Sequence, residues 1–104
     1  MEKHYENEYI PSRGVLRACG GIVESVDRQP YCDYVLLAGN CVGRGWNEEE
    51  RERLVEAIRL NLINRKLYPF EALRTQYALH CDQTVFRREL RKYVRVLSGL
   101  CGFE

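Results

Sequence analysis

Arg87, Arg91 and Arg95 stand at i, i+4 and i+8, with Arg88 and Lys92 between them and Glu89 as the only carboxylate of the stretch. On an α-helix the three arginines share one face, one above the next. Like charges at that spacing cost roughly 0.2–0.5 kcal/mol per pair in an isolated helix. A chain that retains the row either leaves it as a solvated face or sets it against anions. A guanidinium fork fits a phosphate or the paired acceptors of a guanine edge. In that use Arg87, Arg88 and Arg91 would meet base edges, with Gln83 and Thr84 just ahead of them and Gln83 suited to adenine. Lys92 and Arg95 would hold phosphates and set the register. The plainer reading is a face in water that borrows the glutamates around 48–52 as ion-pair partners, to little stabilising effect.

Positioning that row requires a helix, and the sequence supplies one. Asp82 suits an N-cap, and Phe86, Leu90, Tyr93, Leu97 and Leu100 then repeat at spacings of four and three. The helix is expected from 83 to about 98, with Gly99 and Gly102 marking its end. A shorter helix precedes it, with Pro69 at its first position and Phe70, Leu73 and Tyr77 on one face. His80, Cys81 and Asp82 make the break between the two. Earlier still, Asn47 followed by Glu48, Glu49 and Glu50 reads as a helix start with a capping box. Its core stripe is Leu54, Val55, Ile58 and Leu62, and Arg65 and Lys66 close it. Leu60 and Ile63 widen its apolar surface, so this helix is sandwiched between two layers or takes part in a homodimer contact. Residues 47–98 thus have the outline of a three-helix, helix-turn-helix-like unit.

Residues 71–93 carry Leu73-Arg74, Tyr77, Cys81 and Phe86, then the basic helix. This stretch, about a quarter of the chain, resembles the C-terminal part of small uncharacterised phage and prophage proteins often taken for helix-turn-helix factors. The resemblance implies a DNA-binding regulatory protein encoded by a phage or mobile element. Thr75 and Gln76 stand where that motif has a small residue, and Leu79 and His80 where it has a glycine. Both departures argue against a tight crossing of the two helices.

The N-terminal part is less sharply patterned. Residues 1–13 read as an irregular arm pinned by Tyr5 and Tyr9. Residues 14–46 hold most of the glycines and two apolar pieces, 22–26 and 34–38, separated by the turn residues Asp27, Arg28, Gln29 and Pro30. The β-branched Ile22, Val23, Val26 and Val35 favour a small hairpin or irregular layer, and a short helix over 32–38 fits nearly as well. The expected fold is therefore α+β but mostly α: one domain of 104 residues, with this layer packed on the three-helix unit.

Composition narrows the function classes. With 45% apolar residues, 30% charged residues and a net charge of +1, the chain reads as a folded globule without bulk attraction to nucleic acid. The N-terminal residues lack an apolar signal core, and the longest apolar run, 34–39, is far short of the roughly 20 residues that span a bilayer. A cytoplasmic protein without a membrane partner is expected. The five cysteines are odd in number and none lie two to four residues apart, so free thiols are expected and neither metal nor cofactor. His80 and Cys81 are adjacent and cannot easily face each other. The glycine-rich stretch 39–45 lacks the Lys-Ser/Thr ending of a phosphate loop. No catalytic residues are assigned, and the chain is expected not to be an enzyme. The bet is a small DNA-binding regulator. The alternative is an anti-defence inhibitor of the anti-CRISPR type that binds a host nucleic-acid-handling protein, with Glu48, Glu49, Glu50, Glu52 and Glu56 standing in for phosphates.

Overall fold

Asn47 opens a helix as its side chain allows: its Oδ1 accepts the Glu50 amide at 2.8 Å. In the computed structural model, which describes residues 9–103, this helix is α3, Glu48–Ile63, with three glutamates in its first turn. Glu50 does not complete a capping box but turns to His80, 3.4 Å away. The helix stops short of Arg65 and Lys66 because Asn64 is extended (φ −155°) and its side chain accepts the Leu67 amide at 3.1 Å. Pro69 lies one residue outside α4, Phe70–Tyr77, which ends on Ala78 in the left-handed region (φ 53°). Asp82 caps α5, Gln83–Cys101, by accepting the Val85 amide at 2.9 Å. This helix runs through Gly99 and ends only at Gly102 (φ 76°).

Residues 14–46 form two helices, and the hairpin is not there: no strand occurs among the described residues. Ser12 caps α1, Arg13–Glu24, by accepting the Val15 amide at 3.2 Å. Val15, Cys19 and Val23 are spaced by four, which is helical period, and Cys19 and Val23 bury there. The β-branched residues were misleading because strand preference is largely a matter of packing, and here the packing partner is another helix. Gly20 belongs inside α1 for the same reason: a Cβ at that position would run into the Leu62 carbonyl oxygen. Residues 25–30 make the expected turn. The apolar piece at 34–38 lies in α2, Tyr31–Gly39. The fold is thus all-helical over the described residues rather than α+β. Tyr5 lies outside the described residues, while the Tyr9 hydroxyl lies 3.3 Å from Ser98 Oγ on α5.

The main pairings are α1 with α3 and α2 with α5, and α1 also touches α5. α3 is sandwiched between α1 and α4, so much of its wide apolar surface is used within the chain. The core runs from Cys19 and Val23 through Leu54, Ala57 and Ile58 to Phe86, Tyr93, Val94 and Leu97. α4 lies mainly on α3 and reaches α5 through the tilted Phe70 and Phe86 rings, whose centroids are 5.2 Å apart. No helix among the described residues is long and apolar enough to cross a membrane.

Candidate nucleic-acid interface

The cap at Asp82 and the core seam fix the rotation of α5, and that rotation decides what the basic residues do. With Phe86, Tyr93, Val94 and Leu97 buried, Gln83, Thr84, Arg87, Arg88, Lys92 and Arg95 are exposed and Arg91 is half-buried. The structure therefore brings the sequence-derived residues to one face. They are not equivalent on it. Glu89 is only 5% exposed; its carboxylate accepts the Gly43 amide at 3.0 Å and Lys92 Nζ at 3.1 Å, with Arg88 Nε 3.6 Å away. Arg88 and Lys92 are thus partly neutralised by an anchored carboxylate. Arg87, Arg91 and Arg95 have no carboxylate partner among the described residues.

Elsewhere in the molecule some arginines are paired, while others, Arg28, Arg44 and Arg53 among them, have no carboxylate partner among the described residues. Arg51 pairs with Glu48 at 3.2 Å, Arg59 with Glu56 at 3.3 Å and Arg74 with Glu71 at 3.5 Å. Of the five glutamates that could imitate phosphates, Glu48 and Glu56 are taken up by these pairs and Glu50 faces His80. The acids at the start of α3 suit the positive end of the helix dipole. By contrast, α1 has no acid in its first turn and begins with Arg13. A cation there opposes the dipole, so helix stability does not account for it.

A second cationic feature escaped the sequence reading. Arg13, Arg17, Arg65 and Lys66 line an open cleft of about 580 Å³ between α1, the end of α3 and Leu90 of α5. No carboxylate among the described residues lines it. The signal in the sequence was the i, i+4 spacing of Arg13 and Arg17, legible only once 13–24 is read as a helix. At 3.6 residues per turn, Arg87 stands roughly 60° around α5 from Leu90, Arg91 about 100° and Arg95 about 140°, and none of the three lines the cleft.

Other chemistry finds little support in the geometry. Cys32, Cys41, Cys81 and Cys101 are free thiols, and Cys19 is buried in the core. Burial first, then the Asp82 and Glu89 carboxylates, push the Cys81 thiol upward, the reverse of an activated nucleophile. His80 faces Glu50 rather than a cysteine. No three His, Cys, Asp or Glu side chains come together as a metal site among the described residues. No protein-family model, curated protein or solved structure matches the chain.

Proposed function

We propose that this is a small non-enzymatic nucleic-acid-binding protein of regulatory type, cytoplasmic and encoded by a phage or mobile element. It presents α5 to duplex DNA in a helix-turn-helix-like manner. The observation that carries the reading is the row Arg87, Arg91 and Arg95, which share one face of α5, exposed or half-exposed and without carboxylate partners among the described residues. Three unneutralised guanidinium groups stacked along one helix face suit the phosphate backbone. Gln83 and Thr84, exposed in the first turn, are the residues placed for base edges. Because α4 lies on α3 more than on α5, backbone contacts contribute more than base readout. The test is duplex binding across salt concentrations, with and without the three arginines.

A second reading, an anti-CRISPR-type inhibitor of a host nucleic-acid-handling protein, is favoured by one observation. Leu36 and Leu37 of α2 are 65% and 50% exposed, an apolar pair left open on the surface. On that reading a host nuclease co-purifies with the wild type and not with Leu36→Ser/Leu37→Ser.

A further inference from the structure

We propose that the cleft between α1, α3 and α5 is a binding site for a phosphate-bearing anion of nucleotide size. Its volume, about 580 Å³, falls within the roughly 300–1,000 Å³ typical of small-molecule sites. Arg13 and Arg17 enter from α1, and Arg65 and Lys66 from the segment after α3, so four cations from two distant parts of the sequence meet at one opening. None of the four has a carboxylate partner among the described residues. Leu16, Leu62 and Leu90 give the cleft an apolar floor. A phosphate at the rim with a base or sugar over that floor satisfies both halves of the lining, and an arginine plane can stack on a base.

The positions of the cations separate this site from ordinary charge placement. Arg65 and Lys66 follow the C-terminus of α3, where a helix favours positive charge in any case. Arg13 begins α1, where the dipole disfavours it and no acid stands in the first turn. Its retention at the mouth of a cation-lined cleft is what an anion site requires. The site's chemistry does not depend on duplex binding by α5. The phosphate could belong to a free nucleotide or to the phosphorylated end of a strand that continues past Arg87.

The experiment titrates the full chain at low salt with inorganic pyrophosphate, adenosine triphosphate, and a short single strand with and without a 5′-phosphate. Arg13→Ala/Arg17→Ala is compared with Arg28→Ala/Arg74→Ala, which removes the same charge outside the cleft, and with Arg87→Ala/Arg91→Ala/Arg95→Ala. The first variant is expected to fold, because losing Arg13 relieves the α1 dipole. Pyrophosphate affinity should fall about tenfold or more in it, as the loss of two charge-assisted contacts implies, and stay within about twofold in the other two. Competition by the triphosphate points to a free nucleotide, and competition only by the phosphorylated strand points to a strand end; either upholds the site. The proposal is overturned if wild type binds no pyrophosphate, or if Arg28→Ala/Arg74→Ala loses as much affinity as the cleft variant. Pyrophosphate binding without duplex binding would remove the α5 reading and leave the cleft standing.

Discussion

Glu89 on α5 accepts the backbone amide of Gly43, 3.0 Å away, and so ties the basic helix to the segment between α2 and α3. The one acid within the arginine row is therefore a buried anchor, and it gathers Lys92 and Arg88 about itself. Glu89→Ala leaves the buried Gly43 amide without its acceptor and should cost about 1–3 kcal/mol in urea denaturation. Glu89→Gln keeps an oxygen acceptor and should lose clearly less. Equal losses in the two variants would mean that the amide contact does not carry the effect.

Gly20 and Gly21 are neighbours in α1 with opposite surroundings. A Cβ on Gly20 meets the Leu62 carbonyl, while one on Gly21 meets nothing. Gly20→Ala should lower the thermal midpoint by forcing α1 away from α3. Gly21→Ala should raise stability by about 0.5–1 kcal/mol through helix propensity alone. Calorimetry of the two variants reads the sign directly.

Gly43 holds φ at +67° and would place a Cβ 2.6 Å from Arg51 Cγ. Gly43→Ala should destabilise by about 1 kcal/mol or more, from left-handed strain and that collision. Gly99, inside α5 with open space around it, should accept alanine with a gain of about 0.5–1 kcal/mol.

Tyr93 is fully buried, and its hydroxyl has no hydrogen-bond partner among the described residues. Desolvation pushes its pKa up to about 12. The phenol of the unfolded chain ionises near 10, so between pH 10 and 12 the folded state holds a proton that the unfolded state releases. Stability from this group is complete below pH 10 and falls as pH rises toward 12. Tyr93→Phe removes an unsatisfied buried group, so it should be at least as stable as wild type at pH 7 and resist alkaline unfolding better. A clear loss at pH 7 would show that the hydroxyl is satisfied after all.

The legible parts of the fold were those with strong local punctuation. Asn47 and Asp82 cap the helices they were expected to cap, and the seam from Phe86 to Leu97 gave the buried face of α5. The helix over 32–38, weighed against a hairpin, is α2, whereas α1 was hidden because Ile22, Val23 and Val26 have strand-like side chains and Gly20 sits in its middle. Only the tertiary fact that Gly20 lies against Leu62 explains its place in a helix. The arginine row was visible because its residues are local to one helix. The cleft was not, because Arg13 and Arg17 meet Arg65 and Lys66 only after α1 docks on α3.

The central claim is that Arg87, Arg91 and Arg95 form a phosphate-facing surface, and a salt titration of duplex DNA binding tests it most directly. Wild type should bind random-sequence duplex with affinity falling steeply as salt rises. The Arg87→Ala/Arg91→Ala/Arg95→Ala variant should bind more weakly, its log–log salt slope shallower by about 2.7, three phosphates at roughly 0.9 each. No binding by wild type at low salt, or an unchanged affinity and slope in the triple variant, would contradict the account.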